Sequence, residues 1–458
     1  MGDKGDFSVK VSKREVVAAV LPTQEHWLPL SNLDLLLPPL DVGVFFFYKK
    51  QTLGHKSFTF ESMASILKKS MAETLVSYYA FAGEVLQNTM GEPELLCNNR
   101  GVDFIEAIAD VELRDLNLSN PDACVEGKLV PKKKSGVLSV QVTKLRCGGL
   151  VMGCTFDHRV ADAYSANMFL VSWAEIAQSK PVTCVPSFRR SLLNPRHPGC
   201  FDQSADDFFM PVSALPLPND ESQSSASEDG LISRIYYVEA DQLNRLQSLA
   251  SSGKCRRTTK LEAFTAFLWK VVVPACSTSN KTCRMGIVVD GRARLEDDRN
   301  LMASYFGNVL SIPFSEKSFK ELKESQLSSI ADAVQEVLES AVKKEHFLGL
   351  IDWVEAHRPE PAMARIYGSR GQEEGTSLVV SSGQRFPVEK MNFGWGGPAF
   401  GSYHFQWGGE AGYIMPMPSP IGNGDWIVYM HMFKGQLELI ETRAGHVFKP
   451  VTKEYLKL

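Results

Sequence analysis

No two cysteines of this chain form a C-x-x-C pair, although the sequence holds nine. Their odd number and scattered spacing argue against a zinc site or a disulfide framework and for reduced thiols in a cytoplasmic protein. The first residues, 1–13, are polar and charged where a secretory peptide would place its apolar core. No apolar run reaches membrane-spanning length: the most apolar long stretch, 261–276, is interrupted by Glu262 and Lys270. A basic excess is missing too. Lys and Arg total 49 against 53 Asp and Glu, a formal net charge of −4, which disfavours a dedicated nucleic-acid binder. No internal repeat is visible. No serine or cysteine sits in a strand-to-helix elbow of the kind that carries a covalent acyl intermediate.

What is present is a chain of 458 residues, 44% hydrophobic and 22% charged, the composition of a globular protein too long for one ordinary core. Branched and aromatic residues mark strands at 7–20 and 42–48, and short strands at 94–97 and 102–108. Residues 60–79 place Met63, Ile66, Leu67, Met71, Leu75 and Tyr78 on one helical stripe. The runs 137–145 and 150–156 flank Cys147-Gly148-Gly149 and predict a hairpin. Beyond residue 200 the composition turns to proline and then to the polar run 219–230, which predicts a flexible crossover over 201–231. Alternation then returns, with strands at 232–238, 284–289, 378–382, 411–417 and 426–432. Helices are predicted at 241–250, 259–273 and 318–344. The fold class is α/β, in two halves, 1–200 and 232–458.

The chemistry concentrates where the apolar run 149–156 gives way to the helix-like run 163–177. There His158 and Asp162 stand four residues apart. Imidazole is poised as a base near neutral pH, and a histidine at the end of a buried strand can be held rigidly against a cavity. Asp162 can couple to His158 on one helical face, or point away and brace the loop against an arginine. The residues alone leave both open. A second feature, Asn392-Phe393-Gly394-Trp395-Gly396-Gly397, contains no acid, base or nucleophile; its glycines mark a tight loop holding two segments together. A third is the basic cluster Lys254-Cys255-Arg256-Arg257 ahead of the helix at 259–273, where an anion would be favoured.

In this order, the H-x-x-x-D segment and the Phe-Gly-Trp-Gly loop resemble the BAHD family of plant acyl-CoA-dependent acyltransferases. Further matches are Ser31-Asn32-Leu33-Asp34, Tyr78-Tyr79-Ala80-Phe81-Ala82-Gly83, Asp290-Gly291-Arg292-Ala293-Arg294 and Tyr305-Phe306-Gly307-Asn308. The resemblance implies two chloramphenicol-acetyltransferase-like domains, each a mixed sheet with flanking helices, and a solvent channel between them. It implies His158 as general base and Asp162 as a structural partner of an arginine in 290–294, Arg292 in preference to Arg294. Ser381 becomes a contact of the oxyanion or acceptor, with Lys254, Arg256, Arg257 and Ser382 contacting coenzyme A. Asn392 replaces the family's usual aspartate, so an ion pair made there in relatives is lost, while Gly394, Trp395 and Gly396 keep the loop. No permanent cofactor or metal is implied. Acyl-CoA is the co-substrate and the enzyme is a monomer of plant specialised metabolism, without membrane or nucleic-acid partners.

Acceptor clues are thinner. Gly383 stands where shikimate-specific relatives carry tryptophan, and reads as leaving room in the pocket. Phe45, Phe46 and Phe47, Phe400, Phe405, Trp407, Met415 and Met417 add apolar surface for a planar aromatic alcohol. The N-terminal run to Pro39 looks most like coniferyl alcohol acyltransferases, so the function expected is O-acylation of a phenylpropanoid alcohol such as coniferyl alcohol, with an acetyl or aromatic acyl donor. The alternatives are a hydroxycinnamoyl-CoA-dependent or amide-forming N-acyltransferase and an inactive acyl-CoA-binding homologue, the last motivated by Asn392.

Overall fold

The computed structural model describes residues 7–50, 58–203, 205–214, 230–253, 256–274, 281–295, 299–368, 375–406 and 411–458. Among them, six strands form a first sheet in the order Val9–Val17, Val102–Ala109, Leu138–Leu145, Leu150–Asp157, Asp41–Tyr48, Phe400–His404. Only the second and third of these run parallel; the others pair antiparallel. The hairpin between 138–145 and 150–157 turns through Gly148 at φ +82°, a conformation favouring glycine. Phe45, Phe46, Phe47 and Tyr48 are all fully buried, because their strand is central and covered on both faces. The helices Phe60–Ser77 and Ala163–Ala177 pack against each other, fastened where Trp173 Nε1 donates to Leu67 O at 3.1 Å.

A second sheet, of seven strands, runs Phe314–Ser318, Thr282–Ile287, Gly375–Val380, Gly412–Pro418, Trp426–Phe433, Leu231–Val238, Lys449–Pro450. It is mixed, with parallel pairs joining 282–287 to 375–380 and 375–380 to 412–418. Helices Ala240–Ala250, Lys260–Val271 and Leu327–Ala341 pack together beside it. Both sheets thus carry helices of their own, but one strand of the first sheet crosses the division. Phe400–His404 comes from the second half of the chain and is hydrogen-bonded to Asp41–Tyr48 in the first sheet.

Two stretches depart from the sequence reading. The single helix predicted over 318–344 is two, Phe319–Glu324 and Leu327–Ala341, and a third, Lys344–His357, begins at its predicted end. Ser325 and Gln326 take extended backbone, as does Lys343. The apolar positions Phe319, Leu322, Ile330, Val334 and Val337 continue inward across the first break, so the periodicity hides it. Within the expected crossover, Ala205–Phe208 is helical and Phe209–Pro211 is a strand paired antiparallel with Ala362–Ala364. The polar run at 219–229 lies outside the described residues.

Candidate active site

Strand Leu150–Asp157 is buried along its whole length and ends at His158, whose main chain is held on both sides. His158 N donates to Leu40 O at 2.8 Å, and Asn308 Nδ2 donates to His158 O at 2.9 Å. Asn308 is itself fixed by Asp34, whose Oδ1 accepts from Asn308 N at 2.7 Å and from Asn308 Nδ2 at 2.8 Å. Asp34 Oδ2 takes Ser31 N and Ser31 Oγ, so a fully buried carboxylate ties the N-terminal motif to the second half of the chain. Next to the histidine, Arg159 closes a bidentate pair on Asp157. The backbone of His158 is therefore immobilised; among the described residues its Nδ1 is buried without a hydrogen-bond partner, and the ring meets Phe405 edge-on at 6.0 Å.

Asp162 does not couple to His158. It is the N-cap of helix Ala163–Ala177, where its Oδ1 accepts from Ser165 N at 2.9 Å. Its two oxygens take Arg292 Nη1 at 2.7 Å and Nη2 at 3.1 Å, and Val309 N approaches Oδ2 at 3.3 Å. A shared helical face is ruled out because His158 precedes the helix. Arg292 is buried and further donates to Ser165 Oγ, Gly307 O and Tyr305 O, with its guanidinium 4.4 Å from the Tyr164 ring. Arg294 makes no such pair; it lines the cavity instead.

That cavity, about 640 Å³, is walled by both halves of the chain and contains His158. One part is apolar, with Leu36, Leu37, Leu40, Phe405 and Met415; another carries Arg256, Thr259 and Glu262 at the start of helix Lys260–Val271. Thr259 and Glu262 form a capping box there, and Arg256 Nη2 lies 3.4 Å from Glu262 Oε1. Ser381 and Ser382 both line the cavity. Arg257 does not; it is exposed and donates to Gln247 Oε1 at 3.0 Å. Lys254 lies outside the described residues, as does Trp407.

The reading of Gly383 as free space is corrected by its surroundings. A Cβ at this position would meet Met417 Cγ at 2.6 Å, Met415 Cγ at 2.9 Å and Pro416 O at 2.9 Å. The volume a larger residue would use is already filled by the two methionines. Of the apolar candidates, Phe405 and Met415 reach the cavity, whereas Phe45, Phe46, Phe47, Phe400 and Met417 are core residues. In the glycine loop, Asn392 Oδ1 accepts from Gly394 N at 2.9 Å and Gly396 N at 3.0 Å, and both glycines have φ above +100°. Trp395 is buried against Tyr48, Phe58 and Phe393, and among the described residues nothing from 392–397 lines the cavity.

Several contributors carried no assigned role in the sequence. Asp34 and Asn308 were visible inside motifs, but their mutual bond joins positions far apart in the chain. Tyr164 lies against both the Arg292 and Arg385 guanidinium groups, and Arg385 also lines the cavity; no spacing announces this. Phe209 was hidden in the proline-bearing segment. Among the described residues no group of three His, Cys, Asp or Glu is placed to hold a metal ion, and no helix is long and apolar enough to cross a membrane.

Comparison with known proteins adds an independent line. The sequence model of the family described as "Transferase family" matches residues 7–447. The chain is 26% identical to a hydroxycinnamoyltransferase of Narcissus pseudonarcissus, over 94% of this chain and 99% of that protein. It is 28% identical to anthranilate N-benzoyltransferase protein 1 of Dianthus caryophyllus, over 94% and 98%. Its fold resembles that of F. sporotrichioides TRI101, solved in complex with coenzyme A and T-2, with a TM-score of 0.72 at 13% identity over 94% and 98% of the two chains.

Proposed function

The chain belongs to the Transferase family, as a BAHD acyltransferase, and from that premise we propose that it transfers an acyl group from an acyl-CoA thioester to the hydroxyl of a small aromatic alcohol, with His158 as general base. The observation that carries this reading is the place of His158: its main chain is held from both halves, by Leu40 and by Asn308, and the residue lines the cavity that both halves share. In the reaction the alcohol oxygen attacks the thioester carbonyl carbon as its proton passes to the imidazole. The resulting oxyanion collapses by breaking the carbon–sulfur bond, and the proton on His158 leaves with the coenzyme A thiolate. No acyl-enzyme intervenes.

Ser381, on the cavity wall, is the candidate donor to the oxyanion, and Asp162 with Arg292 holds the helix start that follows the histidine. Arg256 and the N-terminus of helix Lys260–Val271 supply positive potential for the phosphates of coenzyme A, with Ser382 toward its pantetheine arm. The apolar wall of Leu36, Leu40, Phe405 and Met415 suits a planar phenylpropanoid alcohol such as coniferyl alcohol. Asn392 gives no reason to expect an inactive homologue, since it lies off the cavity and satisfies its loop.

The 28% identity to an N-benzoyltransferase favours a second reading, amide formation on an aromatic amine. A matrix of acetyl-, benzoyl- and coumaroyl-CoA against coniferyl alcohol, benzyl alcohol, shikimate and an amine, read by mass spectrometry, separates the two. His158→Ala is expected to lower turnover about 10²–10⁴-fold while acyl-CoA still raises the melting temperature. Turnover within a few-fold of the parent would remove His158 from the reaction.

A further inference from the structure

We propose that Phe209–Pro211, in the segment joining the two halves, is a specificity wall for the acceptor, with the Phe209 ring setting how large an alcohol fits beside His158. The inference rests on the acyl-transfer reading above and adds a determinant to it. Phe209 is 2% exposed although its surrounding sequence is rich in proline and acidic residues, and it lines the same cavity as His158. A side chain so enclosed in such a segment needs an explanation beyond linking two halves.

The wall is firmly seated. Phe209 stands opposite Ala364 and Pro211 opposite Ala362, and Val212 N donates to Pro361 O at 2.7 Å. Just before it, Asp206 takes Trp353 Nε1 on its carboxylate at 2.8 Å and Arg365 Nε on its carbonyl at 2.9 Å. The Phe208 ring meets Phe314 edge-on at 5.6 Å, and the Phe209 ring lies 6.1 Å from Trp353. Across the ladder Ala364 presents only a methyl group, which leaves that side to the larger ring. Strand Ala362–Ala364 packs on the turn Asp34–Leu36. From there Leu36, Leu37 and Leu40 continue the cavity wall to the carbonyl that accepts from His158 N. Phe209 thus belongs to the apolar part of the cavity, not to the part that holds Arg256.

The test uses the full chain with Phe209→Ala and Phe209→Leu, one acyl-CoA donor, and three alcohols of increasing length: benzyl alcohol, coniferyl alcohol and 4-benzyloxybenzyl alcohol. Phe209→Ala is expected to raise KM for coniferyl alcohol about tenfold and gain turnover on the longest alcohol, with KM for acyl-CoA changed less than about twofold. Phe209→Leu should fall between it and the parent, and carries the test if the alanine variant does not fold. An unchanged ratio of kcat/KM between the shortest and longest acceptors would overturn the proposal, as would a shift of the acyl-CoA KM equal to that of the acceptor. If the parent acylates none of the alcohols, the O-acyl reading fails by itself. The wall is then judged by the same ratio measured on benzylamine and its 4-benzyloxy analogue.

Discussion

At the scale of single residues, the helix start that follows His158 is held by an ion pair. Asp162 and Arg292 are both almost fully buried, and each satisfies the other in two directions. Removing one partner leaves a buried charge alone, which typically costs about 3–5 kcal/mol. Asp162→Ala and Arg292→Ala should each lower the denaturation midpoint by that order. The double variant should lose less than the sum, and a chemical-denaturation cycle measures the difference. Strict additivity would mean that the pair is not coupled. His158 and Asp162 were legible in the sequence because they share one local segment. That they do not bond each other was not, since it depends on where the helix begins.

At the scale of elements, the loop around Asn392 shows what a lost charge does and does not change. One side-chain oxygen closes the turn over two N–H groups, a task that asparagine and aspartate perform alike. Asn392→Asp should leave melting temperature and turnover nearly unchanged. Asn392→Ala should lower stability by about 1 kcal/mol while kcat stays within a few-fold, because one exposed and one part-buried donor lose their acceptor off the cavity. A large fall in kcat for a stably folded Asn392→Ala would give this loop a catalytic role. Most strands were legible from alternation and branched residues, and the hairpin from its glycines. The breaks at Ser325 and Lys343 were not, since a continuous apolar stripe runs through the first. Nor was the strand Phe209–Pro211, whose partner lies far along the chain, or the methionine packing that fills the space at Gly383.

At the scale of the whole molecule, the halves are joined by charge as well as by backbone. Arg358 donates to both oxygens of Glu92, at 2.7 and 2.8 Å, and its hydrogen bonds hold that carboxyl below the ordinary glutamate value of 4.5. A depressed carboxyl contributes stability that is complete above the unfolded value and is lost as pH falls through the folded one. Glu92→Gln should therefore melt below the parent at neutral pH, by an amount worth roughly 1 kcal/mol or less because Arg358 is a third exposed. The gap should close as pH falls below 4.5; a gap independent of pH would show that the pair is inert. The exchanged strand Phe400–His404 carries a consequence for biosynthesis. Until it leaves the ribosome, the aromatic strand Asp41–Tyr48 is an open edge, with hydrogen-bonding groups and phenylalanines available to any other nascent chain. The sealing strand is translated long after the strand it covers, so this edge of the histidine's own sheet is exposed to mispairing until residues 400–404 are made.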